Sequence, residues 1–153
     1  MMNLSRTLIL VLSLAMFSCS TSGNKNASGE ALSNEEQVRL EQYMVQGMSL
    51  YRANCANCHG MEGQGLARLY PPLAGSDYLL EDLERAACLI RNGQKGEITV
   101  NGITYNRMMP ANKSLDPIEI AEIITYVSNS WGNEAELTSV STVSKWLLKC
   151  ENK

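Results

Sequence analysis

The five residues Cys55-Ala56-Asn57-Cys58-His59 constrain this chain more than any other stretch. They contain two cysteines two residues apart and the only histidine among 153 residues. Such a pair can hold a zinc ion, cycle as a redox disulfide, or bond covalently to a haem. A structural zinc site needs four ligands, usually in paired clusters. No second pair follows here, and a histidine directly after the second cysteine is badly placed to fold back onto the same metal. A thioredoxin-like redox pair needs a βαβ setting. The local pattern is instead a helix followed by a glycine-rich loop.

C-x-x-C-H is also the attachment signature of haem c. Two thiols add to the two vinyl groups on one porphyrin edge, and two intervening residues let both sulfurs reach it. The next residue then turns its imidazole toward the iron. Iron held this way keeps a sixth position for another ligand. With one histidine in the chain, that ligand is not a second histidine. Methionine is the remaining soft donor. Met108-Met109-Pro110 lies about 50 residues past His59, after an expected hairpin and before the last clear helix. Met44 and Met48 fall on a helical stripe and read as core filler. Met61 is too close to His59 in sequence to reach the opposite porphyrin face.

The N-terminus reads as an export signal. Arg6 precedes an apolar run from Leu8 to Phe17. That run is about half of the roughly 20 residues a spanning helix needs. It ends in Met16-Phe17-Ser18-Cys19, which resembles a lipoprotein lipobox with Cys19 as the lipidated residue. Residues 1–18 are expected to be signal peptide. Residues 19–33, small, polar and glycine-bearing, are expected to form a lipidated, flexible tether. Export permits disulfides. With Cys19, Cys55 and Cys58 assigned, Cys88 and Cys150 remain, and an even remainder suggests a bridge. The formal charge of -3 leaves no basic footprint for nucleic acid.

Residues 34–133 are expected to form one haem domain, with 134–153 as a C-terminal extension. Ser33 and Glu36 fit a capping box for a helix running into Cys55. A second helix is expected from about Asp77 to Asn92, with Leu80, Leu83, Ala87 and Ile90 on its apolar face and Gly93 as its stop. Val100 and Ile103 flank Asn101-Gly102, a hairpin signal within residues 97–105. Asp116, Pro117 and Glu119 start a helix with Ile120, Ile123, Ile124 and Val127 inside, ended by Trp131-Gly132-Asn133. A weaker helix is expected from Ser141 to Lys149. One phenylalanine and two tryptophans are a thin aromatic supply for a core, and a large cofactor would relieve it.

From about Gln42 to Asn133 the chain resembles a class I monohaem cytochrome c. The resemblance rests on Cys55-Ala56-Asn57-Cys58-His59, Pro71 twelve residues after His59, Met109-Pro110, the Gly47/Tyr51 pair and Tyr126. It implies an all-α fold, with three to four core helices around one haem c and a short β-hairpin. It implies Cys55 and Cys58 as covalent attachments and His59 and Met109 as axial iron ligands, with Met108 the alternative to Met109. The Pro71 carbonyl would accept the Nδ1 proton of His59. Gly47 would let two helices touch, with Tyr51 and Tyr126 packed beside it. Leu73, Ile90, Ile98 and Tyr105 are candidate walls, and Trp131, Tyr70 and Arg91 candidate propionate partners. YPPLAGSDYL, ITVNGITYN and YVSNSWGN resemble more closely the haem domains fused to copper nitrite reductases, and relatives serving oxidases and quinoprotein dehydrogenases. Cys88 and the tail ending in Cys150 depart from that pattern, so the tail's packing is not given by the family.

The function implied is an exported, membrane-tethered, extracytoplasmic electron carrier. It is not itself an enzyme, since no other catalytic constellation appears. An oxidase, nitrite reductase or dehydrogenase would be its redox partner. Two alternatives stand beside this: a haem subunit of a larger oxidoreductase, and a haem sensor or peroxidase-like protein with an open sixth position.

Overall fold

The computed structural model describes residues 31–150. The expected signal peptide, Cys19 and most of the expected tether lie outside these residues. The described part is mostly helical, with six helices and one two-stranded antiparallel sheet.

Helix α1, Asn34–Asn54, begins at Ser33 with the expected capping box. The Ser33 hydroxyl accepts from the Glu36 amide, and Glu36 accepts from the Ser33 amide, so two orphan N–H groups are satisfied at once. The helix runs to Cys55, and a single further turn, α2 (Ala56–His59), carries the rest of the motif. Helix α5, Pro117–Ser128, starts from Asp116 with Pro117 in its first turn and a capping box with Glu119. Ile120, Ile123, Ile124 and Val127 are all buried, as their spacing predicts.

The crossing of α1 and α5 is the centre of the fold. A Cβ on Gly47 would land on the Glu122 carbonyl of α5 and 2.7 Å from the Tyr126 Cβ. Only glycine allows this approach. One helical turn on, the buried Tyr51 ring lies 5.5 Å from the Tyr126 ring.

The single helix expected over 77–92 is instead two: α3, Asp77–Glu81, and α4, Leu83–Asn92. Asp82 sits between them with extended backbone (φ -153°, ψ 91°), and its carboxylate accepts from the Arg85 amide. It is an N-cap, which a helical stripe does not reveal. The break also turns the apolar face. Leu79 is buried and Leu80 is 39% exposed, so the core position is one residue earlier than the uninterrupted period gives. Gly93 does stop α4: its amide bonds the Leu89 carbonyl at φ 78°.

Strands β1, Ile98–Val100, and β2, Ile103–Tyr105, pair Val100 with Ile103 and Ile98 with Tyr105. Asn101 (φ 49°) and Gly102 (φ 74°) make the tight turn between them. Helix α5 ends at Ser128 rather than at Trp131. Side chains take over there: Asn129 Nδ2 donates to the Thr125 carbonyl and Asn133 Nδ2 to those of Val127 and Leu73.

Helix α6, Val140–Cys150, matches the tail helix to within a residue at each end. It packs on α4 and α5, with Val143 and Leu147 inside the same core as α1 and α5. The Cys88 and Cys150 sulfurs are bonded, with Cα atoms 5.7 Å apart across 62 residues of chain.

Candidate functional site

A cavity of about 590 Å³ opens among these elements. That lies in the size range of cofactor pockets, roughly 300–1,000 Å³. Its walls are largely apolar and come from α3, α4, the hairpin and α5. Cys55, Cys58 and His59 enter from the end of α1 and from α2, and Met108 and Met109 from the stretch after β2. Of the expected walls, Leu73, Ile90, Ile98 and Tyr105 all line it.

The loop after His59 folds back on itself. The Gly65 amide donates to the His59 carbonyl at 2.7 Å, and the Leu73 and Ala74 amides share the Gly63 carbonyl. This return brings the Pro71 carbonyl to 3.0 Å from His59 Nδ1. A carbonyl only accepts, so Nδ1 carries the proton and Nε2 keeps its lone pair. Burial holds the His59 imidazole below its ordinary value, against the opposing effect of the Pro71 bond. The ring is therefore neutral at pH 7, the form that ligates metal. Burial, with Cys58 beside it, pushes the Cys55 thiol up to about 11. Among the described residues, no group of three or more His, Cys, Asp or Glu side chains could hold a metal ion.

Met109 is fixed through its backbone. Gln94 and Met109 exchange a pair of hydrogen bonds of 2.9 and 3.0 Å. Gly93 makes room for them, since a Cβ there would lie 2.6 Å from the Met109 carbonyl. The Asn112 amide donates to the Ile90 carbonyl, and Arg91 Nη1 donates to that of Lys113. Asn112 Nδ2 also reaches Asn54 Oδ1 at 3.1 Å, joining this loop to the residue before Cys55. Met109 is half-buried, whereas Met108 is 56% exposed.

Trp131 does not line the cavity. Its ring lies tilted 5.1 Å from that of Tyr51 and edge-on 5.4 Å from that of Tyr126, beside Gly63. The early end of α5 and a φ of 56° turn it into this aromatic cluster rather than onto the cavity wall. Arg91 Nη1 donates to the Lys113 carbonyl and its buried Nε has no partner among the described residues, while Tyr70 lines the cavity. Sequence reading missed Tyr78, Leu79, Leu89 and Val100 as lining residues. The hairpin's alternation could have supplied Val100, two residues from Ile98. It also missed the Asn54–Asn112 clasp, for which no local signal exists.

The family model for cytochrome c matches residues 44–131. The chain belongs to the cytochrome c family. It is 34% identical over 91 residues to cytochrome c-552 of Thermus thermophilus, covering 57% of this chain and 69% of that one. It is 36% identical over 75 residues to cytochrome c-554(548) of Halomonas halodenitrificans, covering 49% and 82%. It is 34% identical over 94 residues to the cytochrome c subunit of a quinone alcohol dehydrogenase of Gluconacetobacter polyoxogenes, covering 60% of this chain but 20% of that much longer one. A cytochrome c carries covalently bound haem c, and this chain's residues fit one: an apolar cavity, two unbridged thiols and an imidazole with a free Nε2 on its walls.

Proposed function

We propose that this cytochrome is an exported, membrane-tethered carrier of single electrons. Cys55 and Cys58 would hold haem c through their sulfurs, and His59 and Met109 would be the residues that ligate its iron. One observation carries the reading: the attachment motif and the methionine of a Met-Pro pair line the same apolar cavity. Bound there, haem c supplies a one-electron ferric/ferrous couple.

The chain's residues set the terms of that couple. Pro71 fixes the tautomer and orientation of His59. Leu73, Ile90, Ile98 and Tyr105 exclude water, which disfavours the extra positive charge of the oxidised state. A thioether from Met109 acts in the same direction, raising the potential. With Met109 holding the iron no place would be left there for a substrate, which favours a carrier over an enzyme.

Residues 1–18 direct export, and Cys19 carries lipid that holds the domain at the outer side of a membrane. Redox partners are respiratory enzymes met through small, transient interfaces. A dehydrogenase is favoured over an oxidase or a nitrite reductase by the likeness to the alcohol dehydrogenase subunit. The same likeness favours a second reading, a haem subunit fixed within a larger oxidoreductase. Purification from detergent-solubilised membranes separates the two: a carrier elutes alone, and a subunit elutes in a stoichiometric complex. The carrier reading is tested by redox titration and CO exposure. One-electron behaviour with no CO binding by the reduced protein supports it. Tight CO binding would mark a sensor or peroxidase-like site.

A further inference from the structure

Residues 70–75 form a strap that presents the Pro71 carbonyl to His59 Nδ1 at 3.0 Å. Pro71 and Pro72 have no N–H, so the centre of the strap cannot be pinned by amides of its own. Its position is set at the ends. Tyr70 and Leu66 exchange backbone hydrogen bonds, and the Leu73 and Ala74 amides donate to the Gly63 carbonyl. A Cβ on Gly65 would lie 2.5 Å from the Tyr70 carbonyl, so the strap rests directly on the loop beneath it. All of these partners belong to the same loop and would move with it.

One side chain from outside the loop also holds the strap. Asn133 Nδ2 donates to the Leu73 carbonyl at 2.9 Å and to the Val127 carbonyl at 2.7 Å. Its Oδ1 accepts from the Gly75 amide at 2.8 Å. Asn133 is 6% exposed. A buried amide is costly unless it is bonded, and this one uses both its donors and its acceptor. The backbone amide of Asn133 donates to the Ser130 carbonyl at 2.9 Å, which fixes it just past the end of α5. Ile123, Ile124 and Val127 of α5 line the cavity. Asn133 therefore ties the strap to a cavity wall. Among the described residues, no other hydrogen bond reaches the strap from outside residues 59–76.

We propose that Asn133 is a positioning residue for His59: it sets how firmly Pro71 accepts the Nδ1 proton, and through that bond it tunes the reduction potential. The inference rests on the electron-carrier reading and deepens it. A firm bond to Nδ1–H raises the basicity of Nε2, which favours the more positively charged, oxidised iron. Loosening the strap weakens the bond, lowers that basicity and shifts the couple toward the reduced state. Asn133 does not line the cavity, so no contact of its own with the cofactor would explain such a shift.

The test compares Asn133→Ala with Asn129→Ala in the haem-loaded full chain. Asn129 bonds the Thr125 carbonyl and the Ala135 amide at the same end of α5, but not the strap. Both variants should lose stability. Asn133→Ala alone should raise the midpoint potential, by about three- to tenfold in the ratio of reduced to oxidised protein, or ~30–60 mV for one electron. In the same variant the His59 Nδ1 proton of the reduced protein should exchange faster with solvent, read by NMR, while the far-red sulfur-to-iron band persists. Asn133→Gln keeps the donors and the acceptor on a longer stem and should shift both readouts less. A potential and an exchange rate unchanged in Asn133→Ala, or shifted equally in Asn129→Ala, overturn the proposal while leaving the carrier intact. If Asn133→Ala does not load haem, exchange in the native protein decides. There the Asn133 Nδ2 protons should be at least as protected as the His59 Nδ1 proton; Asn133 protons that exchange while His59 stays protected overturn the proposal. A native protein without a reversible one-electron couple overturns both the proposal and the carrier reading.

Discussion

Gly47 leaves no room for even a methyl group, because the Glu122 carbonyl of α5 occupies the space. Backbone atoms yield less readily than side-chain ends. Gly47→Ala should therefore cost about 1–3 kcal/mol, at the upper end of overpacking. The denaturation midpoint of the haem-loaded protein should fall, and an unchanged midpoint would mean that the helices are not this close. Gly47 was legible in the sequence because its partner, Tyr51, stands one turn away on the same helix. Pro71 was legible through its fixed spacing from His59. Trp131 was not, because its position depends on where α5 stops. That stop is made by Asn129 and Asn133 side chains bonding carbonyls up to six residues back. A residue type does not announce such a bond.

Elements were easier to place than their boundaries. Capping boxes at Ser33 and Asp116 and the Asn101-Gly102 turn each carry local chemistry, and each lies where its residues put it. The break at Asp82 escaped detection because apolar residues continue at helical spacing on both sides of it. Leu79 rather than Leu80 faces inward as a result. The packing of α6 was also beyond local reading, since its contacts are with α4 and α5, far away in sequence. The bond between Cys88 and Cys150 ties α6 to α4, whose Ala86, Leu89 and Ile90 line the cavity. Closing a loop of 62 residues is worth about 4 kcal/mol in the chain-entropy account. Cys88→Ala with Cys150→Ala should lower stability by up to about that amount. It should also remove the linked Cys88–Cys150 peptides from a non-reducing map. Recovery of both cysteines alkylated without reduction would contradict the bond.

At the scale of the whole molecule, the apolar walls of a cavity of about 590 Å³ meet water in the haem-free chain, and each Å² left exposed forfeits about 25 cal/mol of burial. Cys55→Ser with Cys58→Ser, which should prevent attachment, is therefore expected to abolish cooperative thermal unfolding; a sharp transition in the haem-free chain would contradict the account. The tether is separable from this core. Cys19→Ser should release the protein from membranes with its haem spectrum unchanged, and continued retention would argue for an uncleaved helix or a bound partner. The central claim is that one haem is held between the stretch ending at His59 and the stretch bearing Met109. The far-red sulfur-to-iron absorption band of the oxidised protein tests it most directly, measured in Met109→Ala and Met108→Ala. The account predicts that the band is present in the native chain, survives Met108→Ala and disappears in Met109→Ala. A band that persists in Met109→Ala, or is missing from the native protein, would contradict it.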